Sequence, residues 1–223
     1  MTSANRKAVN ELSSLSKETP ALFPIFLKLE GRRCLAVGAG KLAEPKIEAL
    51  LATGASVLVV APKASANVQR WAHENKLGWE ERTFEFTDLD GVCLVMCATS
   101  SPAINQAVVE ESRLRGLLCS VVDEKELSDY LFPTVLRRGA LQIAISTAGN
   151  SPALEQRLHE ELERQYGPEY ESWLEWLGKA RASLFADPLS PRRRRTLLRK
   201  LASQRGMEEF LRRKGMTVAE ENR

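Results

Sequence analysis

The sequence predicts an α/β fold: a parallel-sheet domain, then a small α+β unit, then a helical C-terminal region. Three observations predict it. Residues Cys34 to Pro62 read as strand, glycine turn, helix and strand. Val92 to Val122 read as strand, helix and strand again. At Phe132 the pattern changes to two short strands joined through Arg137-Arg138-Gly139, a hairpin signal rather than a crossover, and beyond it the chain is helical. The boundaries implied are a polar, disordered start over 1–20, a sheet domain over 21–131, a hairpin and helix over 132–166 that pairs subunits, and helices over 167–223.

In the first unit, Cys34-Leu35-Ala36-Val37 has strand length and is stopped by Gly38-Ala39-Gly40. Leu42, Ala43, Ile47, Leu50 and Leu51 recur at helical spacing, Gly54 closes the helix, and Val57 to Val60 begin a second strand. Gly38-x-Gly40-x-x-Ala43 supplies a residue without Cβ where the chain turns, a second where it approaches a pyrophosphate, and a small side chain where helix meets strand. The domain is therefore Rossmann-like, and the anion would sit on free N–H groups at the helix start. Candidate dinucleotide contacts are Gly38, Ala39, Gly40, Lys41 and Leu42, with Ala61 and Pro62 at the end of the second strand. That strand ends without the Asp or Glu usual for ribose hydroxyls, and Lys63 there would tolerate a 2′-phosphate, so these residues leave NAD and NADP both open. Pro45 falls near the first helical turn, where its missing N–H costs little.

Leu22 to Leu27 form an apolar lead-in. After Pro62, Val68, Trp71 and Ala72 mark a short helix, and Gly78 to Arg82 a weak edge strand. Val92 to Ala98 is the strongest strand, followed by a helix from Ala103 to Gly116 with Ile104, Ala107, Val108 and Leu114 turned inward. Ligands of open α/β sheets bind beyond the carboxyl ends of the strands, so Ala98 and Thr99 should flank the cofactor, Thr99 and Ser100 also being good caps. The strand Leu117 to Val122 ends in Asp123, a carboxylate on the same sheet edge as the glycine turn and the chosen candidate for proton transfer, although a lone Asp at a strand end is more often a cap or turn residue. Phe132 to Leu136 and Leu141 to Ile145 form the hairpin, Ser146 to Asn150 a polar loop, and Ser151-Pro152 starts a helix with Leu154, Leu158 and Leu162 on one face. A hairpin plus one helix is too small to cover its own apolar faces, which points to pairing with another subunit. Tyr170, Trp173, Trp176, Leu177 and Ala180 form an aromatic stripe of core or dimer character. Ser190-Pro191 opens a basic helix that Gly206 stops, and Met207 to Lys214 make the last one, before a loose polar tail.

A composition of 43% hydrophobic and 27% charged residues is that of a soluble globular chain, with no run long enough to span a bilayer and no apolar signal core at the start, which points to the cytoplasm. The cysteines Cys34, Cys93, Cys97 and Cys119 fall in predicted apolar strands without a His cluster, and read as buried thiols rather than a metal site. The net charge of +3 is uneven: Arg181 to Arg223 carries +7 and the remainder −4. Such a segment suits an acidic ligand or a solvated helix face.

These pieces together resemble the precorrin-2 dehydrogenase family, including the N-terminal part of bacterial siroheme synthase and the yeast bifunctional dehydrogenase and ferrochelatase. The resemblance runs from Phe23 to Leu162. It is carried by Leu22 to Phe26, Val37 to Lys46, Ala98-Thr99 with Asn105-Gln106, Cys119 to Asp123, Phe132-Pro133, and Ser146 to Pro152. It implies NAD-dependent oxidation of precorrin-2 to sirohydrochlorin, in some members followed by insertion of ferrous iron, a homodimer built from the middle domain, and Asp123 as the proton-handling group. It also implies substrate contacts at Ser120, Ser146, Thr147 and Asn150; Arg137 and Arg138 are candidates for the substrate's carboxylates. Siroheme synthase has Asn where this chain has Ser120 and Arg where it has Pro45. No methyltransferase segment is read here, so precorrin-2 is expected from a separate protein. Two other classes compete: a non-catalytic NAD-sensing module, which gives Asp123 no role, and a nucleic-acid binder, suggested only by Arg192 to Arg195 and not adopted. Neither a membrane nor a bound metal is expected.

Overall fold

The computed structural model describes residues 21–215; the expectations for the first twenty residues and for the tail after Gly215 lie outside them. The chain divides into two compact units, the first ending at Phe132 and the second beginning at Pro133.

The first unit holds five parallel strands: β1 (Arg33–Ala39), β2 (Ser56–Ala64), β3 (Gly78–Glu80), β4 (Leu94–Cys97) and β5 (Leu118–Val121), in the spatial order β3-β2-β1-β4-β5. Helices α1 (Glu44–Leu51), α2 (Ala66–His73) and α3 (Pro102–Leu114) cover both faces. Both faces being covered explains the unbroken apolar runs. Cys34, Ala36, Val57, Val59, Leu94 and Met96 pack with Ile47, Leu50, Val68 and Trp71, while Leu35, Val37, Val60, Val95, Cys97 and Val121 pack with Val108 and Val109. Burial of each large aliphatic side chain here contributes about 1.5–3 kcal/mol. The chain lays strands outward from β1 to one side and then from β4 to the other, so the crevice at the carboxyl ends opens between β1 and β4.

Several local expectations shift. The first helix begins at Glu44, not Leu42, because Lys41 to Ala43 form a turn closed by Ala43 N–H to Gly40 C=O at 3.0 Å, and Leu42 is 64% exposed. In α3 the buried stripe is Asn105, Val108, Val109 and Ser112, whereas Leu114 is 82% exposed. Spacing of three and four from Val108 selects that stripe, and Leu114 falls off it. The apolar lead-in has no regular structure, and Phe23 is 86% exposed. Cys93 lies just before β4 rather than inside it.

In the second unit, β6 (Thr134–Arg138) and β7 (Leu141–Ile145) pair antiparallel. Arg137 and Arg138 sit inside β6, opposite Gln142 and Leu141, and the turn is Gly139-Ala140, with Gly139 at φ +55°. Helix α4 (Pro152–Gln165) lies against the hairpin and is followed by α5 (Glu169–Ala186), α6 (Pro191–Leu201) and α7 (Gln204–Lys214). The aromatic stripe is core: Trp173 packs with Met207, Phe210 and Leu211, flanked by Tyr170, Trp176 and Leu177. Gly206 does not stop the basic helix but lies in the first turn of α7, capped by Ser203, which accepts from the Gly206 N–H at 3.2 Å. A Cβ there would collide with the carbonyls of Lys200 and Leu201, so the glycine permits the tight corner between α6 and α7.

Candidate active site

The carboxyl edge of the first unit's sheet carries the chemistry. Gly38 lies in the buried end of β1 with φ +102°, and a Cβ on it would stand 2.5 Å from the carbonyl oxygen of Ala98. Only glycine lets the turn after β1 and the loop after β4 approach this closely. Gly40 is different: nothing lies within 4 Å of where its Cβ would be. That open backbone, beside the start of α1, is the space that a pyrophosphate needs. The N-cap residue Ala43 offers no side-chain acceptor, and among the described residues the backbone N–H groups of Lys41 and Leu42 donate to no carbonyl or side chain. The residues therefore fit a dinucleotide. Next to them is a cleft of about 480 Å³ lined by Gly40, Lys41, Glu44, Lys63, Ser65 and Asn67. Ala61 is buried within β2, and Pro62 and Lys63 are exposed near its carboxyl end, before the half-buried Ala64. Glu44, which the sequence did not mark, accepts from Asn67 Nδ2 at 2.8 Å; Ser65 and Asn67 hold its carboxyl below the usual carboxylate range.

Across the switch point stands Thr99. Its hydroxyl donates to Asn105 Oδ1 at 2.6 Å and accepts from the Ser101 N–H at 3.1 Å. Asn105, buried in α3, also accepts from Cys97 Sγ at 3.1 Å and donates from Nδ2 to Thr99 C=O and to Glu124 Oε1, both at 3.3 Å. One amide thus ties the loop after β4 to the residue beside Asp123. Its only sequence signal was its place in the Asn105-Gln106 motif.

Asp123 follows β5 in the left-handed region, φ +64°, and is exposed. The Val122 N–H to Cys97 C=O bond at 2.8 Å continues the sheet up to it, and Glu124 N–H bonds back to Val121 C=O at 3.1 Å. A left-handed non-glycine conformation, held by the sheet bond before it and the turn bond after it, leaves Asp123 exposed at the carboxyl edge shared with Gly38 and Thr99. Ser120 is buried within β5, opposite Met96, on the other face from Cys119 and Val121.

The remaining candidates lie in the second unit. Thr147 donates both its N–H, at 2.7 Å, and its hydroxyl, at 2.8 Å, to Glu155 Oε1, and its hydroxyl accepts from the Ser151 N–H at 3.0 Å. Ser146 accepts from the Ala148 N–H, and Ala148 is left-handed at φ +52°. Asn150 is exposed at the end of this loop. Glu155, on the first turn of α4, organises the loop and was not singled out from sequence. Arg138 donates to Tyr166 C=O at 2.8 Å and faces Glu163 at 3.7 Å, so its guanidinium ties the hairpin to the end of α4; Arg137 is exposed.

Three of the four thiols, Cys34, Cys97 and Cys119, are buried, and Cys93, just before β4, is half-buried. Burial pushes Cys34 and Cys97 up to about 12 and Cys119 to about 11. Among the described residues there is no His, Cys, Asp and Glu group that could hold a metal ion, and no helix is long and apolar enough to cross a membrane.

Comparison with known proteins agrees with this geometry. The family model described as "Putative NAD(P)-binding" matches residues 25–134, and that described as "Sirohaem biosynthesis protein central" matches residues 138–165. Siroheme synthase of Xylella fastidiosa is 41% identical over 144 residues, 64% of this chain and 30% of that protein. Siroheme synthase of Actinobacillus pleuropneumoniae is 41% identical over 145 residues, 65% of this chain and 30% of that protein. The chain thus spans under a third of the length of these curated relatives. A solved structure of "SirC, precorrin-2 dehydrogenase" superposes with a TM-score of 0.71 at 28% identity, covering 86% of this chain and 98% of that one. With the glycine turn, the switch-point crevice and the hairpin unit all in place, the chain joins an NAD(P)-binding domain to a sirohaem-biosynthesis central domain and is similar to siroheme synthases and to a precorrin-2 dehydrogenase structure.

Proposed function

We propose that the protein oxidises precorrin-2 to sirohydrochlorin, with NAD as oxidant, releasing NADH and a proton on the route to siroheme. The observation that carries this reading is the shared edge: the open glycine turn after β1, the Thr99 loop after β4 and the strained Asp123 after β5 stand at the ends of three neighbouring strands. When bound, NAD supplies the acceptor for the hydride. The chain's own residues do the rest. The N–H groups of Lys41 and Leu42 hold the pyrophosphate, and Gly38 and Ala98 shape the crevice floor. Asp123 accepts the proton that must leave the macrocycle as the hydride departs.

Substrate contacts through Ser120, Ser146, Thr147, Asn150, Arg137 and Arg138 are part of the proposal, as is ferrous iron as a second substrate, since two pyrrole N–H protons must then leave and the same carboxylate serves. A homodimer also belongs to it: α4 buries none of its residues and the hairpin buries only Leu136, so a second copy would cover their apolar faces. A cytoplasmic location fits this chemistry.

The test is an anaerobic, metal-free assay with precorrin-2 generated in situ and NAD as sole oxidant, following NADH. Asp123→Asn keeps the shape and tolerates the left-handed backbone, and it should lower the rate roughly 10²- to 10⁴-fold without changing NAD affinity. A wild-type rate in Asp123→Asn would remove the assigned role, and a wild type that binds NAD yet makes no NADH would remove the enzyme.

A further inference from the structure

We infer that Glu44 selects the dinucleotide: its carboxylate takes the place of the acidic residue missing from the end of β2 and reads an adenosine ribose with a free 2′-hydroxyl. This rests on the dinucleotide reading above and goes beyond it by naming what discriminates between NAD and its 2′-phosphorylated form.

In a sheet of this kind the ribose is met by an acid at the end of the second strand. Here that strand ends Pro62-Lys63-Ala64, with a cation instead. The cleft at this point nonetheless contains a carboxylate, delivered from the neighbouring helix. Glu44 is the first residue of α1, directly after Ala43 at the third position of the glycine motif. Its Oε2 accepts from Asn67 Nδ2 at 2.8 Å, and the Ser65 hydroxyl lies beside it. Both partners come from the β2–α2 junction. That junction is itself anchored to the glycine turn, through Ser65 N–H to Ala39 C=O at 2.9 Å, and Ser65 caps α2 through the Val68 N–H. The side chain is therefore held in the cleft beside the end of β2.

The surrounding charges decide what this does. Lys41 and Lys63 line the same cleft, and Arg70 acts on Glu44 from α2. Two lysines alone would welcome a 2′-phosphate. Glu44 accepts hydrogen bonds from ribose hydroxyls and repels a phosphate dianion, so it converts a cationic cleft into one that favours NAD. Ser65 and Asn67 stabilise the ionised form, which keeps this repulsion in place at neutral pH.

Equilibrium titration of the full chain with NAD and with NADP tests the inference. The wild type should bind NAD more tightly. Glu44→Gln should move the NAD-to-NADP affinity ratio about tenfold or more toward NADP, the size expected for removing one like charge beside a phosphate in a solvated cleft. Adding Lys63→Ala to Glu44→Gln should take back most of the NADP gain. Asn67→Ala leaves the charge but frees the carboxylate, and should weaken NAD without improving NADP, a second route should Glu44→Gln fold poorly. Retained NAD binding with an unmoved ratio in Glu44→Gln would overturn the role of Glu44 alone. Absence of any dinucleotide binding by the wild type would overturn the cofactor reading and this inference with it.

Discussion

Strand β1 is apolar after Arg33, whereas β6 carries only Val135 and Leu136 among polar and charged residues, and the two are buried differently. From Cys34 to Ala39 every residue of β1 is buried, whereas Leu136 is the one buried residue of β6. The same contrast holds for the helices. Ile47 and Leu50 of α1 and Val108 and Val109 of α3 are buried against the sheet, while α4 and α6 bury nothing fully. The first unit closes its own core on both faces. The second has one small aromatic core around Trp173 and leaves Val135, Ile143 and Ile145 half-covered. The lesson is that the edge carrying the candidate site rests on a core closed on both faces, while the second unit leaves much of its apolar surface half-covered.

The largest expected effect comes from the point where β1 and β4 nearly touch. Gly38→Ala puts a Cβ 2.5 Å from a backbone oxygen in a φ that L-residues avoid, and should cost about 3 kcal/mol or more. Urea unfolding and NAD titration should both register it; a variant that keeps both would show that the first unit's edge is not rigid.

Next is an ion pair in the same unit. Asp88 is nearly buried, and Arg82 grips it through both oxygens, at 2.6 and 2.9 Å, while the Glu85 N–H donates at 2.9 Å. The guanidinium holds the Asp88 carboxyl below its usual range. Arg82→Ala strands that carboxylate, and because Arg82 is partly solvated the cost should be about 2 kcal/mol rather than the fully buried value. The sign with pH follows from the depressed value. The wild-type contribution is complete above the unfolded carboxylate value of about 3.9 and is lost as the pH falls through the lower folded one. In urea unfolding the gap between the two proteins should therefore hold from pH 7 down to about pH 4 and narrow as the pH falls below about 3.9, and a gap that stays constant there would refute the assignment.

The smallest effect belongs to the second unit. Ser151 caps α4 by accepting from the Leu154 N–H at 3.2 Å, and Ser151→Ala should cost about 1 kcal/mol, seen as a small fall in melting temperature. A loss as large as that of Gly38→Ala would mean that the second unit is as tightly closed as the first.

Sequence alone determined the βαβ unit, because glycine at a turn, a small residue at a helix–strand contact and unbroken apolar strands are local demands that few other residues satisfy. It determined the candidate catalytic carboxylate too, since a strand end is legible from the apolar run before it. Tertiary structure decided the rest. Leu114 left the core because the stripe of α3 is set by the sheet it lies on, and Gly206 entered a helix because the α6 carbonyls crowd the corner. Arg138, a candidate substrate contact by its charge, donates to Tyr166 and faces Glu163. Asn105 and Glu44 stood inside sequence motifs without a role of their own, for the partners that give them one include Glu124 and Asn67, 19 and 23 positions away. Polar groups acquire a role only from what folding brings beside them, and that is written in the packing of strands and helices rather than in any local run of residues.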